Sequence, residues 1–379
     1  MIYKDFQDMK LSALGFGAMR LPTADRDPNG PIDEKQTAEM TAYAIEHGVN
    51  YFDTAYGYHD GQSEVIMGKV LSQYARESYY LADKFPGYDL ANMDKVEVIF
   101  EEQLSKCGTE YFDFYLLHNI YEKNVDPYMD EKYGIMDYLL AQKKAGRIRH
   151  LGFSAHGRYD TMEKFLKVYG KEMEFCQIQL NYLDWTLQDA KAKVELLAQY
   201  EIPVWVMEPL RGGALTKLSD ENKAKLAALR PEESVPAWAF RFLQSIDSVK
   251  MVLSGMSDLE QMKENIKTYE EEKPLTEKET AALMEVADSM LDILPCTACR
   301  YCTAHCPQEL DIPVLLSLYN ETRFANGLIT HMAVDALAEE KRPSACIGCK
   351  SCEAVCPQQL SIADAMSDFV EKLNQPAGL

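Results

Sequence analysis

The stretch Val49-Asn50-Tyr51-Phe52-Asp53-Thr54-Ala55-Tyr56-Gly57-Tyr58 opens as an apolar run and ends in an acid and a phenol five residues apart. Short apolar runs bounded by polar and turn residues read as buried strands. A strand that stops at Asp53 and turns through Gly57 delivers the Asp53 carboxylate and the Tyr58 hydroxyl to one mouth of a sheet or barrel.

The same pattern repeats on either side. Upstream, a strand begins at Leu14, and its Gly15-x-Gly17 lacks the third glycine and the helix of a dinucleotide loop. Asp33-x-x-Gln36 caps a helix that carries Met40, Ala44 and Ile45 on one face and stops at Gly48. Downstream, apolar runs at Tyr79–Ala82, Phe112–Leu117, Ile148–Phe153, Cys176–Leu180, Ile202–Val206 and Val249–Leu253 alternate with helical patterns near residues 63–71, 96–104, 132–145, 160–169, 188–200 and 234–244. Eight short strands separated by helices over about 250 residues predict an α/β fold, a (β/α)8 TIM barrel. An open doubly wound sheet is the rival topology. Asp53, Lys84, His118 and Ser154 end four successive strands, on the face where such barrels build their sites. Singly, each has a structural reading: an aspartate capping a loop, a lysine snorkelling to water, a histidine satisfying the backbone. Four on successive strands form one cluster.

A chain of 379 residues exceeds one ordinary domain and suits a barrel plus a smaller appendage. The expected division is residues 1–270 and 271–379, at the charged linker Glu270-Glu271-Glu272-Lys273-Pro274. With 47% hydrophobic and 26% charged residues the composition is globular, and no apolar run approaches the ~18 residues that span a bilayer. Met1 to Lys10 lacks the apolar core of a secretory signal, so the expectation is a cytoplasmic protein without membrane partners. A net charge of -21 without a basic stripe argues against nucleic acid.

Beyond the linker, Thr276-x-x-Glu279 opens a helix bearing Leu283, Val286, Ala287, Met290 and Leu291. It leads into Cys296-x-x-Cys299-x-x-Cys302-x-x-x-Cys306-Pro307, and forty residues later comes Cys346-x-x-Cys349-x-x-Cys352-x-x-x-Cys356-Pro357. The doubled run has the spacing of two-cluster ferredoxins, in which three thiolates of a run hold one [4Fe–4S] cubane and the fourth reaches the other. That rule assigns Cys296, Cys299, Cys302 and Cys356 to one cluster, and Cys346, Cys349, Cys352 and Cys306 to the second. Zinc is the competing reading of an isolated C-x-x-C, and four evenly spaced thiolates on each run disfavour it. The segment between the runs reads as helical, giving a mostly α-helical, ferredoxin-like C-terminal domain.

Phe52-Asp53-Thr54-Ala55-x-x-Tyr58, Asp83-Lys84, Leu116-Leu117-His118 and Gly152-Phe153-Ser154, in this order, resemble the aldo-keto reductase superfamily from about Leu11 to Asn265. With the cysteine runs, the chain resembles that superfamily's iron–sulfur subgroup. The resemblance implies hydride exchange between a bound nicotinamide cofactor and a small carbonyl or alcohol substrate. It places the catalytic tetrad on Asp53, Tyr58, Lys84 and His118. A phenol is a weak acid at neutral pH, so a neighbouring Lys84 ammonium, held by Asp53, is expected to acidify Tyr58. His118 would orient the carbonyl oxygen or relay the proton.

For the cofactor, the resemblance implies Ser154 and Gln177 at the nicotinamide, Pro209, Leu210, Arg211 and Gly212 at the pyrophosphate, and Glu264 with Asn265 at the adenine end. Two positions depart from the pattern. The Asn that often follows the family serine is Ala155, leaving the amide clamp incomplete or borrowed from His156. Where NADPH-preferring relatives carry cations, this chain has Gly255 and Gln261, so NAD and NADP both stay open. Arg211 reads either as a phosphate contact or as a solvated loop arginine. The clusters read either as carriers of electrons to or from an external partner or as staples of a small helical domain. A hydride moves two electrons whereas a cluster takes one, and no flavin motif stands out to bridge the two. A nucleotide-binding redox sensor without turnover is the alternative function.

Overall fold

The computed structural model describes residues 1–24 and 30–378, which form two compact units, Met1–Leu283 and Met284–Leu379. Among the described residues no helix is long and apolar enough to cross a membrane.

The first unit contains strands β1 (Tyr3–Phe6), β2 (Met9–Ser12), β3 (Leu14–Gly17), β4 (Tyr51–Asp53), β5 (Tyr80–Phe85), β6 (Phe112–Ile120), β7 (Ile148–Ala155), β8 (Cys176–Gln179), β9 (Val204–Met207) and β10 (Val249–Ser254). Strands β3 to β10 are parallel and closed, with β10 paired to β9 on one side and β3 on the other. An open sheet is therefore excluded. Each barrel strand is a run of apolar residues because both of its faces are covered. Helices at Glu34–Glu46, Gln62–Leu71, Val96–Cys107, Ile135–Lys144, Tyr159–Tyr169, Ala190–Gln199 and Val235–Gln244 separate the strands, and Leu259–Thr268 follows the last. The first begins where the sequence put its cap, with Asp33 Oδ1 accepting from Gln36 N at 2.9 Å.

The β1–β2 hairpin was not legible in the sequence. Its turn places Gln7 at φ +52, a conformation that Gly or Asn would have advertised. The hairpin sends Phe6 among Phe114, Phe175 and Trp205, its ring centroid 5.1 Å from that of Trp205. Burying one such ring contributes about 1.5–3 kcal/mol. It fills the barrel at the N-terminal end of its strands and leaves the opposite mouth for polar groups.

The second unit has helices at Ile312–Phe324, Leu328–Asp335 and Ile362–Leu373. Leu310, Ile312, Leu315, Leu316, Leu360, Ile362, Met366 and Phe369 form its core together with Cys302 and Cys352. Its two halves repeat one backbone course. Ala298 and Arg300 take positive φ in the first cysteine loop, as do Gly348 and Lys350 in the second. Glu309 N and Gln359 N then donate to Cys306 O and Cys356 O, at 2.9 and 3.0 Å. The chain leaves each loop through Leu310 to Ile312 or Leu360 to Ile362, seating equivalent side chains in a shared core. The helix Glu277–Met290 precedes this repeat, and its capping box forms both ways: Thr276 N donates to Glu279 Oε2 at 2.8 Å and Glu279 N to Thr276 Oγ1 at 3.3 Å.

Candidate active site and cysteine-lined hollows

Lys84 is the penultimate residue of β5, its ammonium wholly buried and donating to Asp53 Oδ1 and to Thr54 O, each at 2.6 Å. Burial is the largest single influence and opposes the Lys84 charge, but Asp53, Tyr58 and Asp83 together outweigh it, so the ammonium is held above its ordinary pKa. Asp53, 3% exposed, is itself raised by burial against the pull of Lys84. The proton of the pair thus resides on the lysine.

Tyr58 lies over this pair, its ring centroid 4.9 Å from Lys84 Nζ. The turn that brings it there is made by His59, Asp60 and Gly61, all at positive φ, whereas Gly57, the expected turn residue, has φ -94. Gly57 serves another purpose: a Cβ there would stand 2.3 Å from Tyr88 Oη. Burial pushes the Tyr58 phenol up to about 12, despite the charge of Lys84 and its hydrogen bonding, which pull the other way. The expected acidified phenol is thus corrected. The lysine acts in the anticipated direction, but desolvation is larger.

His118 faces the same space, its ring edge-on to Tyr58 at 6.0 Å and to Tyr88 at 5.1 Å between centroids. Burial, then the Lys84 charge, then His156 depress its pKa far below the ordinary value. The imidazole is neutral. Tyr88 and Tyr128, whose Oη lies 2.9 Å from His118 O, were missed in the sequence because a tyrosine in a loop or helix carries no periodic signal. The structure therefore brings Asp53, Tyr58, Lys84 and His118 together.

Of the residues matched to cofactor contacts, Ser154 and Gln177 are buried and in register on β7 and β8. Ser154 Oγ accepts from Asn119 N at 2.8 Å, tying it to the strand that carries His118. Beyond β9, Glu208, Arg211, Gly212 and Gly213 all take positive φ, so the loop around Pro209 and Leu210 coils tightly, and Asn181 Nδ2 tethers Glu208 O at 3.0 Å. Arg211 is not the solvated arginine that one reading gave. Its side chain is 11% exposed, with Nη1 3.4 Å from the buried Asp184 Oδ1. A residue not foreseen, Arg20, reaches this loop from beyond β3. Its Nη2 lies 3.9 Å from Glu208 Oε1, its stem packs where a side chain on Gly255 would stand, and its guanidinium where one on Gly212 would. Asn265 is buried and donates to Ser254 Oγ at 3.2 Å, while Glu264 on the same helix is exposed.

In the second unit the thiols ring two hollows. One is lined by Cys346, Cys349 and Cys352 with Cys306 from the other run, the second by Cys296, Cys299 and Cys302 with Cys356. Apolar side chains, Leu310 and Met366 in one and Leu316 and Leu360 in the other, complete the walls. Among the described residues no three His, Cys, Asp or Glu side chains converge as a single metal ion requires. A hollow bounded by soft thiolates and apolar groups fits a polynuclear iron–sulfur core.

The aldo/keto reductase family model matches residues 13–288, and a 4Fe-4S dicluster domain model matches residues 295–360. The chain is 26% identical to the "Uncharacterized oxidoreductase YqkF" of Bacillus subtilis over 73% of its own length and 92% of that protein's. It is 26% identical to an NADH-specific methylglyoxal reductase of Escherichia coli, over 68% and 90% of the two chains. Among solved structures, the holo form of the aldo-keto reductase AKR11C1 from Bacillus halodurans superposes with a TM-score of 0.60 at 25% identity, covering 76% of this chain and 96% of that one.

Proposed function

Since the chain belongs to the aldo/keto reductase family and carries a 4Fe-4S dicluster domain, we propose that this oxidoreductase interconverts a carbonyl and an alcohol at the barrel mouth, with Tyr58 as general acid and base and NAD or NADP as cofactor. The carrying observation is the buried Lys84 ammonium, locked between Asp53 Oδ1 and Thr54 O beneath the Tyr58 ring.

The bound dinucleotide supplies or accepts the hydride. The rest falls to side chains of this chain. A carbonyl being reduced develops negative charge on oxygen, and an alkoxide is a stronger base than a phenolate. Tyr58, with its pKa near 12, keeps its proton at working pH and still yields it to that oxygen. Lys84 then stabilises the phenolate left behind, and Asp53 keeps Lys84 charged and placed. His118, being neutral, orients the substrate oxygen by hydrogen bonding without adding charge. Ser154 and Gln177 suit the nicotinamide end, since Gln177 Oε1 is buried without a donor among the described residues. The coiled loop Pro209-Leu210-Arg211-Gly212 suits the pyrophosphate, with Arg20 the cation across it, and Glu264 with Asn265 the adenine end.

In the second unit we assign the two hollows to two [4Fe–4S] clusters with crossed ligation: Cys296, Cys299, Cys302 and Cys356 for one, Cys346, Cys349, Cys352 and Cys306 for the other. Their work is electron exchange with an external carrier or support of the helical fold. Adding NADH or NADPH to anaerobic protein tests whether the two units are linked, because bleaching of the visible cluster absorbance joins them in one circuit and no change leaves them functionally separate.

The test of the barrel chemistry is aldehyde-dependent oxidation of NADH and NADPH. Methylglyoxal is the first substrate to try, given the name of the Escherichia coli relative. Tyr58→Phe is expected to lower kcat by about 10²- to 10⁴-fold with cofactor binding intact. Turnover within a few-fold of the parent protein would remove Tyr58 from the reaction.

A further inference from the structure

The loss of the family asparagine at position 155 leaves one amide contact to be supplied from elsewhere. We propose that Asn119, from β6, holds the carboxamide of the nicotinamide ring together with Gln177 and Ser154. This rests on the reading that the barrel binds a nicotinamide dinucleotide.

Asn119 sits where β6 slips its register against β7, between Leu117 and Ile120, and it takes φ +59. Both ends of its backbone are fixed: its N–H donates to Ser154 Oγ at 2.8 Å, and its carbonyl accepts from Asn124 Nδ2 at 2.8 Å. The residue is 6% exposed, yet its side-chain Oδ1 has no donor among the described residues. Gln177, 3% exposed and in register with Ser154, repeats the situation: its Oε1 has no donor, and its Nε2 faces only Met207 Sδ at 3.7 Å. Buried amide oxygens without a donor are rare and costly, so two on the strands that flank β7, either side of its Ser154, call for a ligand. The ligand's chemistry follows from the inventory. Two acceptors need two N–H donors, and Ser154 Oγ, already accepting from Asn119 N, has its own proton to give to a carbonyl. A primary carboxamide presents two N–H groups and one carbonyl oxygen on a single plane. Ala155, whose methyl can do neither, is replaced in this task by a residue on the adjacent strand.

The experiment measures the affinity of the anaerobic holoprotein for NAD, NADP and the 3-acetylpyridine analogue of whichever binds more tightly. The analogue keeps the carbonyl and replaces the amide NH2 by methyl. The parent protein is expected to prefer the natural dinucleotide by about 10-fold, the scale of one or two hydrogen bonds. Asn119→Gly keeps the backbone shape, because glycine adopts positive φ freely. This variant should bind the natural dinucleotide about 3- to 10-fold more weakly and the analogue within 2-fold of the parent, so that the preference narrows. An unchanged preference in Asn119→Gly overturns the assignment, as does equal weakening toward both ligands. A preference lost instead in His156→Phe moves the clamp to His156 and also overturns it. If the parent protein binds neither NAD nor NADP, in either redox state, the functional reading fails first and this inference with it.

Discussion

The barrel mouth and the cysteine-bearing unit organise their reactive groups in opposite ways. In the barrel, Lys84, Asp53 and Thr54 fix one another in a region with almost no solvent, and the strands that carry them are paired along their length. In the second unit the loops place the thiols through backbone turns, leaving Cys299 and Cys349 exposed and four others half-buried, with only Cys302 and Cys352 inside the core. The first site is preorganised by its own fold. The second is expected to be shaped around the clusters proposed for it, which would then contribute to its folding energy.

The sharpest way to break that contrast is to strip the clusters by oxidation and chelation. Melting is then expected to lose the transition of Met284–Leu379 and keep that of the barrel. Survival of both transitions would mean that the apolar core around Leu316 and Phe369 suffices without iron and sulfur.

A smaller effect comes from the barrel's own buried charges. Lys84→Met leaves the Asp53 carboxylate uncompensated and is expected to destabilise the barrel by about 3–5 kcal/mol in denaturant titration. Adding Asp53→Asn removes the stranded charge, and the double variant should recover much of that stability while staying inactive. A double variant no more stable than Lys84→Met would show that the pair acts through packing rather than charge. The smallest expected change is at the rim. Asp33→Ala removes one helix cap, and about 1 kcal/mol of stability with it, at unchanged turnover.

The fold was legible because a closed parallel barrel writes itself as apolar strands, each ending in a polar residue; Asp53, Lys84 and His118 were readable from position alone. The cysteine hollows were legible for a different reason, since ligand spacing along a tight loop is a local property. What stayed hidden depends on three dimensions. The β1–β2 hairpin turns through Gln7, which carries no turn signature, and the orphan oxygen of Asn119 exists only once β6 slips against β7. The direction of the Tyr58 shift was misjudged for a related cause. Sequence shows that a lysine is near a tyrosine, but not how much water both have lost.

The proton donor itself is tested by the pH dependence of kcat/KM for aldehyde reduction. A donor is active while protonated, so its activity falls as pH rises through its pKa. Tyr58, pushed up to about 12, stays protonated across the range where an ordinary histidine titrates, and neutral His118 adds no limb there. The predicted profile is flat from about pH 5.5 to 7.5. A fall centred near pH 6.5 that disappears in His118→Asn would make the histidine the donor and contradict the account.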